Sequence, residues 1–359
     1  MKILMTTDNI GGVWTYALAM ARGLKNHGVE VVLAVIGNPL TPAHKDELNG
    51  IRYRHFVARQ EWMDDPWKNV YATGKWLMNF RDIENPDILH LNSYTLGCLD
   101  WQVPVVVTLH SCVLSWWQAV KGEPAPASWH TYHEHVKAGI QSADVVTAPS
   151  RFIIHAAEKF YGPFRYKKLI YNGIDPSQFK RGKKENIVFS MGRIWDEAKN
   201  ISLLLKAAEK IPWPIFIAGE HNGLNENNLP ANVTLLGQLS QKEVAGWLSK
   251  AWLYVLPAKY EPFGYTFLEA ALSGCVLVGG DIESLHEIWN EKMIYARTDD
   301  PQYLADTVNN LLENKWQLNY LSRKTHEYAI ASYAEEYMLK EYTELYKSMD
   351  KIKLKITQH

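Results

Sequence analysis

Along the first half of the chain, short β-branched apolar runs alternate with segments whose apolar residues recur at helical spacing, the pattern of βα units around a parallel sheet. The runs at 2–6, 30–35, 88–91, 103–109, 144–148 and 168–171 read as strands. Between the first two, Val13, Ala17, Leu18, Met20, Ala21 and Leu24 share one helical face, and Gly28 stops the helix. That helix follows Asn9-Ile10-Gly11-Gly12, a glycine turn that lets backbone approach a ligand while the helix N-terminus faces it. The second half repeats the scheme, with strands at 187–190, 215–218, 233–236, 252–256 and 276–279 and helices at 201–210, 242–248 and 267–272. A helical tail over 333–347 closes the pattern and runs into Lys351, Lys353 and Lys355.

Two Rossmann-like α/β domains follow. The first is expected over 1–175, completed by the C-terminal helix at about 335–359, and the second over 176–334. The turn residues Asp175-Pro176-Ser177 and the polar stretch 180–186 have the composition of a linker. Open α/β sheets bind ligands beyond the carboxyl ends of their strands, so the site is expected in a cleft between two facing sheets.

Composition narrows the partners. The 359 residues carry 38 Lys+Arg against 39 Asp+Glu, a formal charge of -1, which argues against a nucleic-acid binder. Three scattered cysteines, Cys98, Cys112 and Cys275, indicate neither a disulfide framework nor a metal-binding pair, and fit a reducing cytoplasm. The N-terminal apolar run is too short for a signal peptide, and no stretch reaches the roughly 18 apolar residues of a membrane span. The terminal lysines leave room for peripheral contact with an anionic membrane. Fourteen Trp beside 19 Tyr and 10 Phe suit either heavy packing or stacking on flat ligands.

Two segments carry candidate chemistry. In Tyr260-Glu261-Pro262-Phe263-Gly264-Tyr265-Thr266-Phe267-Leu268-Glu269, proline sits where a first helical turn tolerates it and Gly264 lets main chain pass close to a ligand. The N–H groups of Gly264, Tyr265 and Thr266 would then meet phosphate oxygens at a helix start. A carboxylate so near phosphate repels it, so Glu269 is expected to accept hydrogen bonds from sugar hydroxyls, which implies a ribose. The second segment is Ser190-Met191-Gly192-Arg193-Ile194-Trp195-Asp196-Glu197-Ala198-Lys199-Asn200, whose Arg193 and Lys199 match a diphosphate in charge.

With these motifs the chain resembles retaining glycosyltransferases of family 4, enzymes of the GT-B fold akin to glycogen and sucrose synthases. The resemblance runs through Gly11-Gly12, Thr108-Leu109-His110, Ala148-Pro149-Ser150, Asn172-Gly173-Ile174-Asp175, Gly192-Arg193 with Lys199, and Glu261 with Glu269. It implies that Arg193 and Lys199 neutralise the donor diphosphate and that Glu269 holds the ribose. Glu261 would meet hydroxyls of the transferred sugar, with the main chain of Phe263 and Gly264 beside it. Gly12 would approach the diphosphate, His110 would face the sugar near the reacting carbon, and the base would rest on Gly237-Gln238-Leu239. It further implies transfer of a hexose from a nucleoside-diphosphate sugar such as UDP-glucose to a glycan or lipid-linked acceptor, with no metal and no other cofactor.

Two positions depart from the family pattern. Ser111 stands where an acidic residue often follows the histidine, so His110 lacks an expected orienting carboxylate. Residues 281–287 replace a glycine-rich turn and leave the donor sugar open. Trp14, Trp116 and Trp117 are candidates for contact with the acceptor. His130, His133, Glu134 and His135 match no zinc motif, since His130 and His133 share a helix face and His135 does not. Alternatives are a nucleotide-sugar epimerase, a phosphorylase or a silent nucleotide-sugar binder.

Overall fold

The computed structural model describes residues 1–220 and 228–356, with side chains described through Met349. Two compact units emerge. The first comprises Met1–Gln118, Glu123–Gly173 and the C-terminal segment from Glu335; the second comprises Ile174–Ala334 with the short piece Ala119–Gly122.

The first unit is a seven-stranded parallel sheet: β1 (Lys2–Thr7), β2 (Glu30–Gly37), β3 (Arg52–Val57), β4 (Ile88–Leu91), β5 (Val105–Thr108), β6 (Val145–Ala148) and β7 (Lys167–Leu169). Their spatial order is β3-β2-β1-β4-β5-β6-β7, every pair parallel. Helices on both faces explain why β1, β4, β5 and β6 are apolar without alternation and almost wholly buried. Strand β3, RYRHFV, escaped the sequence reading because it lies at the sheet edge, where half its side chains meet solvent.

The second unit is a six-stranded parallel sheet: β8 (Glu185–Met191), β9 (Ile215–Ala218), β10 (Val233–Gly237), β11 (Ala251–Leu256), β12 (Val276–Gly280) and β13 (Ile294–Ala296). The order β10-β9-β8-β11-β12-β13 reverses direction between β8 and β11. Strand β13, three residues at the edge, was also missed from sequence.

The tail expected over 333–347 is the single helix Glu335–Ile356, and a helix not read from sequence, Lys315–Tyr333, precedes it. Lys315–Tyr333 ends at Ala334, whose extended backbone pairs with Ile174, and Glu335–Ile356 follows. The latter packs on the first sheet. The Tyr346 hydroxyl lies 2.6 Å from His90 Nδ1, and the Tyr342 hydroxyl lies 3.1 Å from Thr147 Oγ1. These tyrosines satisfy polar groups of β4 and β6 that the sheet would otherwise bury alone. Lys351, Lys353 and Lys355 lie beyond the described side chains.

Candidate active site

The reversal between β8 and β11 separates two crossovers that leave the sheet on opposite sides, opening a crevice at the strands' carboxyl ends. Both motif segments of the second unit start there. Residues 192–200 follow β8 and residues 257–264 follow β11, and Lys259 N donates to the Ala198 carbonyl at 2.8 Å to tie the loops together.

Between these loops Lys199 Nζ meets Glu261 Oε2 at 2.5 Å, with both side chains largely buried. Arg193 pairs with Asp196 at 2.7 Å, lies 5.4 Å from the Trp195 ring centre and remains 44% exposed. Asp196 is itself held, since its Oδ1 accepts the Ala198 amide at 3.0 Å. The structure thus brings Arg193, Lys199 and Glu261 to one sheet end, each cation already facing a carboxylate.

Helix Tyr265–Leu272 starts at Gly264, which adopts φ 90° and offers no side-chain cap. A Cβ at Gly264 would lie 2.8 Å from Phe267 Cδ2 and 3.2 Å from Glu261 Cγ, so only glycine lets this turn close against the Glu261 side chain. The helix begins three residues after Pro262, which therefore belongs to the preceding bend and not to the first turn. Phe267, Leu268, Ala271 and Leu272 are fully buried. Phe263 is 3% exposed and packs edge-on against Tyr265 and Tyr333, so its ring serves the core and only its main chain borders the turn.

Glu269 sits one turn into this helix, about 6 Å along the axis from Tyr265. It is half-buried, and burial pushes its carboxyl up to about 8. Gly237 ends β10 at φ 66°, its carbonyl accepting the Gly219 amide at 2.8 Å, and half-buried Leu239 follows before the helix Gln241–Lys250.

Sequence reading placed Asn200 only as a helix start. In the structure it is buried, left-handed at φ 55°, and donates from Nδ2 to the carbonyls of Pro257 and Thr298 at 2.9 and 2.8 Å. It pins the cationic loop to the segments after β11 and β13. An asparagine at the junction of a polar loop and a helix was the available signal.

In the first unit, Gly12 lies exposed in the first turn of helix Gly11–Gly23. His110 follows β5, half-buried, with the Tyr16 ring 4.8 Å away edge-on and burial holding its imidazole down at about 3. Trp14 is 7% exposed and its Nε1 donates to Glu47 at 2.7 Å, so most of its ring packs in the interior. Trp116 and Trp117, half-buried and T-shaped at 5.8 Å, sit on helix Val113–Lys121. His130, His133 and Glu134 bring ligand-type atoms within 4.8 Å of one another, while His135 stacks on Trp67. Both ring nitrogens of His133 already face oxygens, Glu134 Oε1 at 2.8 Å and the Phe160 carbonyl at 2.9 Å.

Residues 10–178 match the family model described as Glycosyltransferase Family 4, and residues 173–331 match Glycosyl transferases group 1. An uncharacterized glycosyltransferase of Methanocaldococcus jannaschii is 23% identical over 97% of this chain and 98% of its own. An O-antigen chain mannosyltransferase of Salmonella typhimurium is 28% identical over 40% of this chain and 43% of its own. Among solved structures, sucrose-phosphate synthase from Thermosynechococcus elongatus superposes with a TM-score of 0.81 at 20% identity, covering 97% of this chain and 98% of that one. Anabaena HepE in complex with UDP-glucose gives 0.78 at 16%, covering 97% and 100%.

Two parallel Rossmann-like units with this likeness define the GT-B fold. The two matched family models together span nearly the whole chain, and the protein is a glycosyltransferase of the GT-B type.

Proposed function

We propose that the protein transfers a hexose, with retention and without a metal, from a nucleoside-diphosphate sugar of the UDP-glucose kind to a glycan or lipid-linked acceptor. The observation that carries this is the grouping of Arg193, Lys199 and the uncapped start of helix Tyr265–Leu272 at the switch point of the second sheet. Two cations and a helix N-terminus are matched to a diphosphate leaving group. The solved HepE complexes with UDP and UDP-glucose support the donor class, and the O-antigen mannosyltransferase supports a glycan acceptor.

As the bond from the anomeric carbon to the diphosphate lengthens, negative charge grows on the phosphate oxygens and oxocarbenium character grows on the sugar. Arg193, Lys199 and the N–H groups at Gly264, Tyr265 and Thr266 stabilise the former. The acceptor oxygen bonds to the anomeric carbon on the face the diphosphate leaves, and an oxygen of the departing phosphate takes the hydroxyl's proton, so configuration is retained. Lys199 exchanges Glu261 for phosphate, which releases Glu261 to bind hydroxyls of the sugar. Glu269 takes the ribose, and the main chain at Gly237 and Leu239 borders the base. From the first unit, Gly12 serves the diphosphate and His110 the transferred sugar, while Trp116 and Trp117 contact the acceptor. The protein acts in the cytoplasm, and its C-terminal lysines add contact with an anionic membrane face.

Donor titration by calorimetry tests the core of this. Charge-assisted hydrogen bonds contribute about 1.5–3 kcal/mol each, so Arg193→Ala and Lys199→Ala each weaken UDP-glucose binding by roughly ten- to a hundredfold. Unchanged affinity in both variants would sink the site. Product anomers read by proton NMR, with and without a chelator, check retention and metal independence separately.

A further inference from the structure

The ring of His110 is oriented by a residue that sequence reading did not consider. His110 Nε2 lies 2.8 Å from Oδ1 of Asn92, which follows β4. The Asn92 amide has one sensible orientation. Its Nδ2 donates to the Thr6 carbonyl at 2.6 Å while its main-chain N–H donates to Thr6 Oγ1 at 2.8 Å. Turning the amide over would set Oδ1 against the Thr6 carbonyl, two acceptors face to face. Oδ1 therefore points at the ring, and because it can only accept, Nε2 carries the hydrogen and Nδ1 keeps its lone pair.

The main chain around the ring is held as firmly. The Tyr94 hydroxyl accepts the amides of His110 and Ser111 at 2.9 and 3.2 Å and donates to the Ser111 carbonyl at 2.9 Å. Tyr94 is fixed in turn by the buried carboxylate of Glu61, which accepts the amides of Tyr94 and Thr95 at 2.9 and 3.0 Å and the Thr95 hydroxyl at 2.7 Å. The titratable groups facing His110 are Tyr16 across the ring, Tyr94 at its backbone and buried His90 on β4; among the described residues, no carboxylate is bonded to the imidazole.

We propose that Asn92 is a positioning residue that holds His110 as the neutral Nε2–H tautomer, so that Nδ1 accepts a hydrogen bond from a hydroxyl of the transferred sugar. This rests on the sugar-facing role proposed for His110. Burial works in the same direction by disfavouring the charged ring. A carboxylate in the same place would select the same tautomer but favour the imidazolium, which has no acceptor to offer. The amide supplies orientation without that charge, so the serine at position 111 leaves no gap.

Two measurements decide it. Two-bond proton–nitrogen correlation spectra of histidine-labelled protein, with His110 assigned by its loss in His110→Gln, are expected to show Nε2 protonated and Nδ1 bare from pH 8 down to about 5. A protonated Nδ1 overturns the proposal, and this reading needs no change at Asn92. Kinetically, Asn92→Leu frees the ring and lowers kcat/KM about ten- to a hundredfold at every pH, the size of one lost oriented hydrogen bond. Asn92→Asp keeps an acceptor facing Nε2, with its second oxygen now set against the Thr6 carbonyl, and raises the imidazole pKa, so kcat/KM drops overall but also acquires a new acid limb and recovers as pH rises. Equal, pH-independent losses in both variants would mean that Asn92 merely supports the fold. The spectroscopic result is independent of turnover. A protein inactive on every donor would refute the proposed function alone, whereas Nδ1–H in an active enzyme would refute this inference alone.

Discussion

Glu269 is the most exposed test of the donor site, because its burial has a consequence for stability and another for binding. In the folded protein its carboxyl stands at about 8, against an ordinary value of 4.5, and the cause is desolvation. The native state therefore holds a proton that the unfolded chain gives up between these two values. Where the folded form binds more protons, stability falls as pH rises, so the penalty is absent below about 4.5, grows through the window and levels off near 8. At ~1.4 kcal/mol per unit the ceiling is roughly 5 kcal/mol, and a half-covered carboxylate in partial solvent reduces this to about 1–3 kcal/mol. Glu269→Gln keeps the shape and removes the ionisation. Urea unfolding from pH 4.5 to 8.5 should show the two proteins alike at the acid end and the variant ahead by that amount at the alkaline end. Parallel curves would refute the burial argument. The binding consequence is separate. The raised carboxyl is partly protonated near neutral pH, and a carboxylate that accepts both ribose hydroxyls gives that proton up, so UDP-glucose binding should release a fraction of a proton. Calorimetry in two buffers of different ionisation enthalpy measures this, and zero release would refute the ribose role while leaving the stability result intact.

Other predictions follow from the same geometry. Lys199→Met strands the buried Glu261 carboxylate and should cost about 3 kcal/mol, while Lys199→Met with Glu261→Gln recovers most of it; additive losses in unfolding experiments would show that the pair is not coupled. Asn200→Ala removes two buried hydrogen bonds and leaves alanine in a left-handed backbone, about 3 kcal/mol in sum, whereas Asn200→Gly relieves the backbone part and should be about 1 kcal/mol better in thermal scans. Tyr346→Phe unpairs the buried Nδ1 of His90 and should lower stability by about 1–3 kcal/mol without altering UDP-glucose affinity; a large change in affinity would place the C-terminal helix in the binding event.

Much of the architecture was legible because parallel strands covered on both faces must be continuous apolar runs, and runs such as 105–108, 253–256 and 276–278 have no other stable use. The strands that escaped notice, β3 and β13, lie at sheet edges, where burial no longer dictates composition. The extended backbone at Ala334, between the helix Lys315–Tyr333 and the tail, has a cause that is not local. Nothing in Tyr333-Ala334-Glu335 opposes a helix, and it is pairing with Ile174, 160 residues away in sequence, that extends the chain there.

The identities of Arg193, Lys199, Glu261, Gly264 and Glu269 and their placement after strands were set by the sequence alone, since loop-forming residues between apolar runs leave few places for them. Which groups face one another was decided only in three dimensions. Lys199 meets Glu261 across 62 positions, Asn200 bridges two strand ends, and His110 is steadied by Asn92 in place of a neighbouring acid. The tryptophan surplus divides in the same way: composition suggested stacking surfaces, yet Trp14, Trp101 and Trp289 are buried, while Trp195 and Trp316 are exposed. Periodicity reports the side of an element that is covered. Hydrogen bonds and ion pairs between elements depend on strand order and register, which bring together residues that no local pattern relates.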